Sequence, residues 1–88
     1  MSIYKYDAFL KTIEFGSITK AAEELGYTQP GLSHVLSSLE TDLGVKNLFR
    51  DRSGVYLKQT GEDLIPYIRT VCEAENQLRK KISEIHNE

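Results

Sequence analysis

The chain has 88 residues, 40% of them hydrophobic and 27% charged, enough to close one small domain whose modest core leaves room for partner contacts. No apolar run approaches a membrane span, the first residues read as a charged helix rather than a secretory leader, and one cysteine allows no internal disulfide; a cytoplasmic location is expected. The net charge of −2 and pI near 5.7 argue mildly against a nucleic-acid partner if only the sum is considered.

In chain order, Ser2 can cap a first helix on which Tyr6, Phe9, Leu10 and Ile13 recur at helical spacing, ending at Gly16. Residues 17–40, SITKAAEELGYTQPGLSHVLSSLE, then read as two helices joined by a tight turn. Ala21, Ala22 and Leu25 form an apolar stripe on the earlier one, Gly26 permits a left-handed turn, and Thr28 can cap a helix opening on Gln29-Pro30. Leu32, Val35, Leu36 and Leu39 should pack back on that stripe. Gln29, Ser33, His34, Ser37 and Ser38 remain as an uncharged hydrogen-bonding face that could enter a groove. The competing reading is an ordinary helical hairpin in a small bundle.

The third helix should stop at Leu43-Gly44. Residues 47–50 and 55–58 are short and β-prone, separated by a turn that includes Ser53-Gly54, and predict a two-stranded hairpin. A hairpin directly after a helix-turn-helix is a wing. Charge distribution sharpens this: residues 1–42 set three lysines against six carboxylates, whereas 43–58 hold Lys46, Arg50, Arg52 and Lys58 against Asp51 alone. A basic patch thus follows the candidate reading helix, and Lys20 could join it. Arg50 and Arg52 could reach phosphates or a minor groove; otherwise they are solvated edge charges that discourage strand aggregation.

From Thr60 to about His86 the pattern is one long helix, with Thr60 and Asp63 as a plausible capping pair. Leu64, Ile68, Val71, Leu78, Ile82 and Ile85 alternate at spacings of four and three, a heptad seam with Glu75 where another apolar residue is expected. A helix of about 40 Å, at ~1.5 Å rise per residue, cannot bury such a seam within so small a domain, so a second copy is the simplest cover. Cys72 lies on an apolar stripe as a packed thiol, Pro66 should loosen the helix start, and Lys80 and Lys81 offset the helix dipole.

The string GSITKAAEELGYTQPGLSHVLSSLE followed by LGVKNLFRDRSGVYLKQTGE resembles the N-terminal winged helix-turn-helix of bacterial LysR-type transcriptional regulators. Gly16-Ser17, Ala21-Ala22, Gln29-Pro30, Ser33 and Leu39-Glu40 stand in register, and Leu64-Ile65-Pro66-Tyr67-Ile68-Arg69 is similar to the opening of the family's linker helix. The resemblance covers the whole chain. It implies a mainly α fold: a winged helix-turn-helix of three helices and a two-stranded β wing over residues 1–58, then a linker and dimerisation helix over 59–88. On this resemblance the family's effector-binding domain is expected to lie outside this chain, and a small-molecule effector is expected to act only through that domain.

Carried across, the resemblance implies double-stranded DNA as partner, read by a homodimer. Gln29, Pro30, Ser33 and His34 would approach base edges and phosphates, Thr28 would cap the reading helix and touch a phosphate, and the free N–H groups of its first turn suit an anion. The DNA-facing set is Lys20, Thr28, Gln29, Pro30, Ser33, His34, Ser37, Arg50 and Arg52. His34 stands where the family often has Arg or Gln, and the reading helix carries no Lys or Arg, so unassisted affinity should be modest. Asn47-Leu48 occupy the place of the usual Leu-Phe, so the first wing strand should pack differently; Lys58 replaces a usual Thr. No nucleophile–base pair, set of metal ligands or phosphate loop has usable spacing, so neither enzyme activity nor a cofactor is expected. The alternative function is a winged-helix protein-interaction module without DNA binding.

Overall fold

Glycines in left-handed conformation punctuate the helical part of the chain. In the computed structural model, which describes residues 3–51 and 53–87, the elements are α1 (Ile3–Phe15), α2 (Ile18–Leu25), α3 (Gln29–Leu43), β1 (Leu48–Asp51), β2 (Gly54–Leu57) and α4 (Gln59–His86). Gly26 and Gly44 take φ of 78° and 75°, and each N–H returns to a carbonyl of the helix it closes. The expected cap Ser2 lies outside the described residues.

α1 buries Tyr6, Ala8, Phe9 and Thr12, with Leu10 and Ile13 partly covered beside them. Thr12 can sit in the core because its hydroxyl donates to the Ala8 carbonyl at 2.8 Å. Ala21 and Ala22 lie flat in the interface of α2, and Leu32, Val35, Leu36 and Leu39 close it from α3, as the apolar spacing predicts. Ser17 caps α2 by accepting the Lys20 N–H at 3.3 Å, and Thr28 caps α3 by accepting the Gly31 N–H at 3.0 Å.

β1 and β2 pair antiparallel in the register Leu48↔Leu57, Phe49↔Tyr56, Arg50↔Val55 and Asp51↔Gly54. The hairpin therefore starts one residue later than expected, and Gly54 opens the second strand instead of completing the turn. Period-two alternation sends Leu48 and Val55 into the core and leaves Phe49 and Tyr56 outside, stacked with ring centroids 5.2 Å apart. Leu48 thus fills the core from β1, Asn47 is buried just before it, and Phe49 is turned out to solvent. The Glu40 carboxylate accepts the N–H groups of Asn47 and Leu48 at 2.6 and 3.2 Å, tying the end of the reading helix to the start of the wing. The Val55 N–H donates to the Gly16 carbonyl at 3.3 Å and anchors the second strand against the α1–α2 turn.

Two expectations for α4 require correction. The helix begins at Gln59, and Lys58 precedes it without a side-chain cap. The pair Thr60 and Asp63 does not form: Thr60 already lies inside the first turn and donates to the Lys46 carbonyl, while Asp63 accepts from the Gln59 amide at 2.8 Å. The second correction concerns the seam. Ile68 is only 4% exposed and belongs to the core of its own domain, with Leu64, Ile65 and Cys72 partly buried around it. Residues 64, 68 and 72 succeed one another by four and so run down one side of the helix. Glu75 continues that domain-facing side and accepts from Arg79 Nε at 2.8 Å. A parallel outward stripe runs through Tyr67, Val71, Ala74, Leu78, Ile82 and Ile85, with Tyr67 71% and Leu78 59% exposed.

Candidate nucleic-acid interface

The exposed side of α3 is set by what its other side must bury. With Leu32, Val35, Leu36 and Leu39 facing α1 and α2, a 100° step per residue leaves Gln29, Pro30, His34 and Ser37 outward, with Ser33 half-buried on the flank toward the wing. Thr28 is exposed at the head of the helix. The face presents an amide, hydroxyls, an imidazole and a proline ring, with no formal positive charge in the helix. Ser38 does not belong to it. Its hydroxyl accepts from Lys5 Nζ at 2.6 Å, and the same ammonium pairs with Asp42 at 2.9 Å, so Ser38 serves the contact between α1 and α3.

The helix head is less open than its sequence implies. Pro30 has no N–H, Gly31 donates to the Thr28 hydroxyl, and Leu32 donates to the Thr28 carbonyl at 3.0 Å. Among the described hydrogen bonds, only the Gln29 N–H of that first turn is left for an incoming anion.

Positive charge comes from beside the helix. Arg50 leaves β1 and reaches across to α3, where Nη1 donates to Ser33 Oγ at 2.8 Å. None of the ion pairs among the described residues involves Arg50. Lys20 is exposed on α2, and Arg52 lies outside the described residues. A groove between the head of α2 and the wing is lined by Ser17, Ile18, Thr19, Arg50, Asp51 and Ser53. The sequence marks Ser17 only as part of the Gly16-Ser17 element and does not mark Thr19; the register of the hairpin brings the wing over them.

The turn of the wing is stiffened by Asp51, whose Oδ1 accepts from the Ser53 hydroxyl at 2.6 Å and the Ser53 N–H at 2.8 Å. These hydrogen bonds to the charged form hold the carboxyl below the ordinary aspartate range. On α4, burial first, then the negative charges of Asp7 and Glu75, push the Cys72 thiol up, which disfavours the reactive thiolate.

Three helices, a tight turn between the second and third, a two-stranded wing and a long trailing helix define a winged helix-turn-helix protein. Among the described residues no helix is long and apolar enough to cross a membrane. Residues 4–62 match the family described as bacterial regulatory helix-turn-helix protein, lysR family, and the chain belongs to that family. It is 43% identical over 72 residues to the uncharacterized HTH-type transcriptional regulator YvbU of Bacillus subtilis (strain 168), covering 81% of this chain and 25% of that protein. It is 29% identical over 85 residues to the nitrogen assimilation regulatory protein nac of Klebsiella aerogenes, covering 97% of this chain and 28% of that one. The chain therefore spans about a quarter of the length of these curated relatives. Among solved structures it superposes on the BenM_DBD/catB site 1 DNA complex with a TM-score of 0.88 at 27% identity, covering 100% of this chain and 99% of that one. The CbnR_DBD–DNA complex gives 0.87 at 26% identity, covering 98% and 99%.

Proposed function

We propose that this chain binds double-stranded DNA sequence-specifically as the reading domain of a cytoplasmic LysR-type transcription regulator. α3 enters the major groove and the wing lies on phosphates or the minor groove. Gln29, Pro30 and His34 meet base edges from the first two turns, and Ser37 follows one turn further along the same face. Thr28, Lys20, Arg50 and Arg52 meet the backbone. The observation that carries this reading is the position of Arg50, a cation in none of the described ion pairs that reaches Ser33 on the flank of α3, so that base-reading groups and backbone-anchoring charge lie side by side.

The homodimer is part of the same proposal. The outward stripe of α4 supports it, with Val71, Leu78, Ile82 and Ile85 retained, Tyr67 and Ala74 added, Leu64 half-buried at its near end, and Ile68 excluded because its own domain has already covered it. Two such helices packed together place two reading helices on half-sites related by a two-fold axis. The chain carries no catalytic role in this reading, and its relatives named above are regulators by description.

A salt series on duplex DNA tests it, with sedimentation reporting the mass in solution. Affinity should fall linearly on logarithmic axes, with a slope of about −0.9 for each phosphate neutralised. A folded dimer that binds no duplex at low salt would overturn DNA reading and leave the winged-helix interaction module in its place.

A further inference from the structure

The hydroxyl of Ser33, like that of Ser38 with Lys5, accepts from a cation of another element. Thr12, Thr41 and Thr70 each turn back and donate to the carbonyl four residues earlier, at 2.8, 3.1 and 3.0 Å. That is the default for a hydroxyl inside a helix, because the carbonyl is the nearest acceptor. Among the described hydrogen bonds, Ser33 makes none of this kind. Its oxygen instead accepts from Arg50 Nη1 at 2.8 Å, across 17 residues of sequence.

Accepting from a cation uses one lone pair and leaves the serine proton free to point away from the protein. The guanidinium has four further N–H donors in a planar fork, and no described carboxylate engages them. The cluster therefore offers donors from two side chains and a full positive charge. A ligand matching it accepts hydrogen bonds through several oxygens and carries negative charge, which describes a phosphodiester better than a base edge bearing an amino group.

The placement of the arginine is fixed from behind. Its cross-strand neighbour Val55 is tied to the Gly16 carbonyl, and Gly54 sits so close to that carbonyl that a Cβ there would lie 2.7 Å from it. The wing is thus pressed onto the α1–α2 turn, and Arg50 starts from a backbone that cannot shift independently of the helices.

We propose that Arg50 and Ser33 form one composite clip for a single backbone phosphate, in which Arg50 positions the Ser33 hydroxyl and the two bind as a unit. This assigns Ser33 to backbone anchoring rather than base reading, and it rests on the DNA-binding reading given above. Reading helix and wing then lock onto the same phosphate, which fixes the register of α3 in the groove.

A double-mutant cycle on one duplex tests the clip, using the 88-residue chain as Arg50→Ala, Ser33→Ala and the double variant. Each single change should weaken binding about tenfold, and the double change scarcely further, because either removal breaks the unit. Replacing single phosphates by uncharged methylphosphonates should locate one position at which both variants become insensitive, and thermal unfolding should be unchanged. Arg50→Lys, which keeps charge but not the fork, should recover only part of the Arg50→Ala loss. Multiplying losses in the double variant, or sensitivity of the two variants to different phosphates, would overturn the clip while leaving DNA binding intact. Absence of wild-type binding to any duplex at low salt would overturn the DNA reading, and the clip with it.

Discussion

The backbone of Gly61 rests against the carbonyl of Asn47: a Cβ at residue 61 would come 2.5 Å from that oxygen and 2.7 Å from Leu57 Cδ2. Here the first turn of the long helix closes over the base of the wing, and the Lys58 N–H donates to the same Asn47 carbonyl at 2.9 Å. In an exposed helix, Gly→Ala ordinarily gains about 0.5–1 kcal/mol. At this position the methyl meets backbone, which cannot rotate away, so steric cost wins. Gly61→Ala should lower stability by about 1–3 kcal/mol, measured by urea unfolding. An increase in stability would mean that helix and wing are not in close contact.

Asn47 presents the opposite case. Its side chain is fully buried, and neither Nδ2 nor Oδ1 has a hydrogen-bond partner among the described residues. Leucine branches at the same γ carbon without polar atoms. Asn47→Leu should raise stability by about 1–3 kcal/mol, since the desolvation of an unmatched amide is removed. Thermal unfolding checks this at fixed protein concentration, and a lower midpoint would show that the amide is paired after all.

The two apolar sides of α4 should respond differently. Ile68→Ala should destabilise the domain by about 2–5 kcal/mol at any protein concentration, because it empties a place in the core. Leu78→Glu should leave the unfolding of the winged domain nearly intact and shift sedimentation toward monomer. An Ile68→Ala variant that unfolds normally but no longer dimerises would return that residue to the interface.

Asp51 sets an acid limit on the wing turn. Because its folded pKa is depressed by the bonds from Ser53, its contribution is present above the unfolded aspartate value and disappears as pH falls through the folded one. A carboxyl-carbon titration should find the Asp51 midpoint below that of an ordinary aspartate, and Ser53→Ala should return it upward. An unshifted midpoint in the wild-type chain would show that the turn is not held by this carboxylate.

Most of the fold was legible because the relevant signals are local. Gly16, Gly26 and Gly44 end helices where side chains resist the backbone, Thr28 caps where its hydroxyl can reach back, and the stripe from Leu32 to Leu39 repeats at the helical period. What escaped depends on tertiary placement. A repeat of threes and fours on α4 is satisfied by two adjacent stripes, and only the docking of the first turns shows that Ile68 points inward. Thr60 had the right chemistry for a cap but lies two residues past the cap position, which Lys58 occupies. Ser38 shares the polar side of α3 by residue type, yet Lys5 from a helix more than thirty positions earlier claims it. The contact of Arg50 with Ser33 likewise has no local signature, because it depends on hairpin register.

The measurement closest to the central claim is selection from a random pool of duplexes, followed by affinities of the wild-type chain and Gln29→Ala for the selected and random sequences. The wild-type chain is expected to enrich a two-fold symmetric motif. Gln29→Ala should lose about 1–3 kcal/mol on that motif and almost nothing on random DNA. Equal wild-type affinity for selected and random duplexes would contradict sequence-specific reading by the exposed face of α3.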